Sequence, residues 1–231
     1  MAHDTSTRQA IESEMADKWS TIPTYILEER FEESDSGGAL GSATDGYDSS
    51  LINAVVSGTG TIDPDSTTAY SGTYSCSIQA VSGESNYIEY DLGQEYTTLG
   101  FHMVFRRGVS FASRNCVVFK DSSFNTVGKI NGGSSNVIQF NGSGFTTNGL
   151  SSSSTFYHIW VDHVSGSEAT VCFSTDSTKP TSGNEHATTA TPAGTGGIRY
   201  IRIGIENKSG TSYVDEVFAS SSSIGSNPAG S

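Results

Sequence analysis

The sequence predicts an all-β chain, a two-sheet antiparallel jelly-roll sandwich with a short N-terminal α-helix. Three observations carry this reading. Apolar residues recur at every second position in segment after segment between Phe31 and Ala219, the period of strands that bury one face. Glycine occurs 26 times, where an average share of about 7% would give roughly 16, and Ser and Thr crowd the intervals between the apolar segments. Hydrophobic residues make up 34% of the chain, a lean core that suits many short strands and their turns better than a helical scaffold.

Residues 1–24 differ from the rest. Ser6 and Gln9 have capping-box spacing, and Ile11, Met15 and Trp19 then fall at i, i+4 and i+8 on one side of a helix that Pro23 ends by about Ile22. So short a helix is marginal alone, so its apolar stripe needs a cover. Either its own sandwich or another subunit supplies it. The chain therefore divides into a helical docking segment (1–24), a sandwich (25–220) and a Ser/Gly-rich tail (221–231).

Tyr25 to Glu33 reads as the first strand, with Glu28, Glu29, Glu32 and Glu33 facing water. Ser34 to Ser50 is a loop, Leu51 to Val56 a strand, and Asp63-Pro64-Asp65 an acidic turn. Tyr74-Cys76-Ile78-Ala80, Ile88-Tyr90-Leu92 and Leu99-Phe101-Met103-Phe105 alternate in succession, which predicts three neighbours in one antiparallel sheet with a wet face. Cys116 to Phe119 is apolar on both faces and belongs at a sheet centre. Val127 to Ile130 and Val137 to Phe140 form a hairpin across Asn131-Gly132-Gly133. The strand of Tyr157, Ile159 and Val161 pairs with that of Ala169, Val171 and Phe173. Asp176 to Gly196 is a second long loop. Ile201, Ile203 and Ile205, then Tyr213, Asp215, Val217 and Ala219, read as a terminal hairpin about the turn Asn207 to Ser212. The total is about twelve strands.

The formal charge of −13, from 25 acidic and 12 basic residues, disfavours nucleic acid as a partner. No apolar run approaches membrane-spanning length, and no signal peptide is evident, so the expected place of synthesis is a reducing cytoplasm. Cys76, Cys116 and Cys172 sit inside apolar alternations as small buried hydrophobes. No Gly-x-Ser-x-Gly elbow or Walker loop is present, and none of the five histidines has a companion at a triad or zinc spacing. These readings favour a protein that is not an enzyme. Tyr47, Tyr70 and Tyr96 lie in or beside turn-rich stretches, where an exposed ring can stack on a sugar.

Phe31-Glu32-Glu33, Phe156-Tyr157-His158-Ile159-Trp160-Val161-Asp162 and Tyr213-Val214-Asp215-Glu216-Val217 together resemble the strands of concanavalin A-like jelly rolls, which include laminin-G-like domains and many carbohydrate-binding modules. The resemblance implies that the strand near the C-terminus pairs with the one near the N-terminus. It also implies a structural calcium where they meet, with Glu32 and Asp215 as ligands. The residues alone leave another reading open, in which Asp215 caps a turn or meets Arg199 or Arg202. Arg8-Gln9-Ala10-Ile11 through Trp19 and Thr21-Ile22-Pro23 is similar to the opening of small bacteriophage tail-completion and terminator proteins. It implies a structural or accessory virion protein, a capsid decoration or head/tail component. Such a protein is anchored by Ile11, Met15 and Trp19 to a larger homo-oligomeric assembly and displayed on the virion surface. The alternative expectation is a glycan-binding, lectin-like adhesion module, with or without calcium.

Overall fold

The computed structural model describes residues 25–31, 52–55, 59–81, 83–108, 114–132, 137–140, 143–146, 154–167, 169–183, 186–188, 196–205 and 209–226, with backbone alone for 52–55, 114–115, 132, 137–140, 143–146 and 186–188. The expected N-terminal helix, with Ile11, Met15 and Trp19, lies outside these residues, as do Glu32 and Tyr47.

The described residues hold fifteen strands and no helix: β1 (Tyr25–Glu29), β2 (Ile52–Val55), β3 (Thr61–Asp65), β4 (Ser75–Ala80), β5 (Asn86–Tyr96), β6 (Thr98–Arg107), β7 (Arg114–Lys120), β8 (Thr126–Gly132), β9 (Val137–Phe140), β10 (Ser143–Thr146), β11 (Tyr157–Val164), β12 (Thr170–Ser174), β13 (His186–Thr188), β14 (Ile198–Ile205) and β15 (Gly210–Ser220). They form two antiparallel sheets. The eight-stranded sheet runs β13-β12-β11-β6-β15-β4-β3, with β1 also on β15, and the seven-stranded sheet runs β10-β9-β8-β7-β14-β5-β2.

The alternation of apolar residues identified the strands but not all their partners. β4, β5, β6 and β7 belong in turn to one sheet and then the other, so the three amphipathic strands expected side by side are split between the layers. Each alternation needs only an apolar surface opposite it, and either sheet supplies one. The terminal hairpin is corrected for the same reason. β14 pairs with β5 and β7 in one layer, and β15 with β1, β4 and β6 in the other. The chain between them is a crossover between sheets. Asp63-Pro64-Asp65 is strand rather than turn, since β3 is an edge strand paired only with β4, where a proline costs no ladder bond.

Other expectations hold. β7 lies inside its sheet between β8 and β14, β8 pairs with β9, β11 pairs with β12, and the N-terminal strand pairs with the C-terminal one, Leu27 opposite Ala219 and Glu29 opposite Val217. The core between the layers is one cluster, and across it Phe101 and Phe119 meet edge to face with centroids 5.3 Å apart. Cys76, Cys116 and Cys172 are buried as thiols, with no disulfide among the described residues.

A candidate binding site on the outer face of the eight-stranded sheet

β6 sends Leu99, Phe101, Met103 and Phe105 into the core, so Gly100, His102, Val104 and Arg106 take the opposite face. By the same parity β11 turns His158 and Trp160 outward. On β15 the register advances from Asp215 opposite Val104 to Phe218 opposite His102, one residue more than β6 travels. This is a β-bulge, with Glu216 in the left-handed region at φ 49°. Val217 is thereby returned to the core, and both Asp215 and Phe218 stay on the outer face. Simple alternation would have put Val217 beside Asp215.

Cross-strand register then assembles two rows. One is Asp215, Val104 and His158; the next is Phe218, His102, Trp160 and Cys172. This face is covered rather than wet. Trp160, Cys172, Phe218 and Ile224 form a second apolar cluster, with Tyr25 against it, and the segment 221–226 crosses above.

At the other end of the rows the segment 66–74 arches over Asp215. Asp65 shapes its start, its Oδ1 accepting bonds from Thr67 N at 2.8 Å and Thr68 N at 2.7 Å, and Ser75 Oγ donates to Thr68 O at 2.5 Å. Over the sheet, Tyr70 N and Ser71 N donate to Asp215 Oδ2 at 2.9 and 3.3 Å, while Ser71 Oγ donates to Glu216 Oε1 at 2.6 Å. Asp215 therefore caps a turn, as one of the open readings had it. Arg199 pairs with Asp91 and Arg202 with Glu89 instead. Asp215 is fully buried, and burial pushes its carboxyl up to about 7 against the opposing pull of the backbone amides of Tyr70, Ser71 and Glu216.

Tyr70 closes the site. Its hydroxyl lies 2.8 Å from His158 Nε2, and His158 Nδ1 lies 3.1 Å from His102 Nε2. Burial lowers both imidazoles, His158 to about 4 and His102 well below its ordinary value, so the pair is neutral and passes hydrogen bonds rather than charge. Burial, then the carboxylates Glu216, Asp176 and Asp215, raises the Tyr70 phenol. Tyr70 is held by its tip, yet the residue is 38% exposed. The ring stands edge-on to His158 at 4.8 Å and to Phe156 at 5.7 Å, and Arg106 lies over Phe156 at 5.7 Å and over Tyr213 at 5.5 Å. The surface is a row of aromatic groups interrupted by one guanidinium. Their neutral hydrogen-bonded backing fixes the central ring, so little rotamer freedom is left to lose on binding.

Of the residues expected to meet sugar, Tyr70 lies in this site. Tyr96 ends β5 in the other sheet, half-buried against the core. The expectation had no place for His102, His158, Phe156 or Arg106. The signal was the run His102-Met103-Val104-Phe105, which lacks the polar alternation of a wet strand and so marks a face with a cover of its own.

No family model matches this chain, and no curated protein is similar to it in sequence. Solved structures are similar in fold. The cellulose-induced protein Cip1 superposes with a TM-score of 0.61 at 13% identity, over 86% of this chain and 99% of the other. The endo-β-1,4-glucuronan lyase of Trichoderma reesei gives 0.56 at 11%, over 90% of this chain and 100% of the other. The conserved carbohydrate esterase of the Shiga toxin-encoding bacteriophage phi24B gives 0.55 at 10%, over 87% and 100%. At such identities the likeness establishes the two-sheet antiparallel β-sandwich they share.

Proposed function

We propose that this chain is a carbohydrate-binding domain that holds a glycan along Tyr213, Arg106, Phe156 and Tyr70. The observation that carries this reading is the half-exposed Tyr70 ring anchored at its hydroxyl by the buried His158 and His102 pair. A rigid aromatic ring offers a flat face to the C–H side of a sugar at low entropic cost, and the neighbouring guanidinium offers donors to its hydroxyls. A phenol pushed up and imidazoles shielded behind it favour recognition over proton transfer, and Asp215, the carboxyl of the cluster that titrates at about 7, is buried away from solvent. Two fold neighbours named for carbohydrate reactions add support of a general kind. Tyr70→Ala is expected to weaken binding to a recognised polysaccharide about tenfold, read by calorimetry or affinity electrophoresis. Binding undiminished in that variant would place the ligand elsewhere.

Calcium at Glu32 and Asp215 rests on narrower ground. Asp215 Oδ1 is buried without a hydrogen-bond partner, but Oδ2 already faces two N–H donors, which a cation would repel. Among the described residues no three His, Cys, Asp or Glu side chains converge. Chelator is expected to lower the melting temperature if the ion is held there; a Tm that ignores chelator removes it.

A second reading joins this domain to a virion, and the phage esterase among the fold neighbours favours it. Here residues 1–24 dock on a larger particle through Ile11, Met15 and Trp19. Deleting them is expected to leave the sandwich folded and to abolish incorporation into particles. Normal incorporation of the shortened chain would end that reading.

A further inference from the structure

We infer that the outer face of the seven-stranded sheet is a second binding surface, suited to an uncharged polysaccharide and centred on Phe124 and Tyr200. It lies on the opposite side of the sandwich from Tyr70 and stands whether or not that site binds sugar.

The surface begins with a strained residue. Phe124 follows β7 in a tight turn at φ 62°, a left-handed conformation that costs a side-chain-bearing residue on the order of 1 kcal/mol. The turn is fixed several times over. Asp121 Oδ1 accepts bonds from Ser123 N and Asn125 N at 2.8 Å each, Phe124 N donates to Asp121 O at 3.1 Å, and Lys120 Nζ donates to Phe124 O at 3.1 Å. Ser122 is tied through its amide and hydroxyl to Glu95 Oε2 at 3.1 and 2.6 Å. All of this holds out Phe124, a residue 48% exposed. Burial does not explain the strain, whereas display does.

The ring lies almost flat on Tyr200, with centroids 4.3 Å apart and planes 15° apart. Planar groups continue on both sides. Arg199 lies over Tyr200 at 5.1 Å, and Arg202 lies over Phe124 at 6.0 Å and over Tyr87 at 4.6 Å. Register makes this contiguous: on the strand between β5 and β7, Tyr200 stands opposite Asp91 and Lys120, and Arg202 opposite Glu89 and Val118. The result is a plate of alternating rings and guanidiniums.

Charge selects the occupant. Arg199 Nε and Nη2 grip both oxygens of Asp91 at 2.9 Å each, and Arg202 Nε donates to Glu89 Oε2. Each guanidinium is already matched by a carboxylate, and the chain carries −13 overall. Lys120, the cation beside Phe124, gives its Nζ to the Phe124 carbonyl, and the net charge of the chain repels a polyanion at long range. An uncharged glycan can stack its C–H face on Phe124, which Tyr200 backs, while its hydroxyls bond to the paired carboxylates and guanidiniums, of which the Arg199–Asp91 pair is bidentate and so fixed in direction.

The test is affinity electrophoresis of the full chain in gels containing mixed-linkage β-glucan, xylan or galactomannan, with alginate as the anionic comparison. The Tyr70→Ala variant is the background, so failure of the first site does not disguise the result at the second. At least one uncharged polymer is expected to retard that protein. Adding Phe124→Gly, which removes the ring and suits the positive φ, is expected to weaken retardation about tenfold without lowering the melting temperature. Three results would overturn the inference: no retardation that depends on Phe124, retardation by alginate alone, or a concentration-dependent dimer that Phe124→Gly abolishes. The last would give the plate to a second copy of the chain.

Discussion

Asp215→Asn is expected to change the pH dependence of stability by roughly 4 kcal/mol between pH 4 and pH 8. The sign follows from the carboxyl's two states. In the unfolded chain it titrates near 3.8, and in the fold, buried under Tyr70 and Ser71, it titrates at about 7. Between those values the folded protein binds the extra proton, so stability falls as pH rises through the interval. Below about pH 3.8 the penalty is absent, and above about pH 7 it is complete. Asparagine keeps an oxygen to accept from Tyr70 N and Ser71 N and has no charge to bury, so its profile loses this slope. Its amide hydrogens inherit the place of Oδ1, which has no partner, and that costs about 1–3 kcal/mol at every pH. The variant is therefore expected to be more stable than the native chain above pH 7 and equal or weaker below pH 5. Chemical denaturation of both proteins from pH 4 to pH 8 measures this. Glu216 and Tyr70 lie in the same cluster but are common to both proteins, so the difference isolates Asp215. Parallel profiles would mean that Asp215 is charged and satisfied by something other than the loop amides.

How far the sequence reveals such a site depends on which interactions are local. Strands announce themselves because alternation is a property of neighbouring residues, and the central place of Cys116 to Phe119 was legible from apolar side chains on both faces. Partnership between strands is different. The alternations Ile201-Ile203-Ile205 and Tyr213-Asp215-Val217-Ala219 give the same signal whether their strands pair or lie in opposite layers, and here they lie in opposite layers. The bulge at Glu216 is invisible to any period, yet it decides that Asp215 and Phe218 share a face. Turn-rich surroundings single out Tyr70 in the sequence, and in the structure its hydroxyl meets His158. What gives it a role is His158, 88 residues along the chain, and His102 beyond it. Those contacts are made by register, which no spacing rule encodes. The outward aromatics Tyr87 and Tyr200 were likewise indistinguishable from ordinary strand residues until Phe124 was laid over one of them.

Gly100→Ala is expected to cost about 2–4 kcal/mol by lifting the segment 221–226 off the sheet. Gly100 lies on β6 on the outer face, two residues from His102, and a Cβ there would stand 2.1 Å from Ser222 O and 2.8 Å from Ile224 N. Both are backbone atoms, so no side-chain rotation relieves the overlap and the crossing segment has to move. Ile224 then loses its burial against Trp160, Cys172 and Phe218, a loss of about 1.5–3 kcal/mol. Lys179 loses two of its three partners, Ser223 Oγ at 3.1 Å and Ile224 O at 2.8 Å, and keeps Asp162 at 2.7 Å. The site responds because the same cover shields His102 and Trp160, so water reaching Trp160 should shift tryptophan emission to longer wavelength. A control removes the ambiguity of a general loss of fold. If the overlap with 221–226 is the whole cause, a chain ending at Ser220 has already lost the cover, and Gly100→Ala in that background should cost almost nothing further. Equal costs in the full and shortened chains would show that Gly100 is required by β6 itself, and that the cover is not what keeps His102 and Trp160 dry.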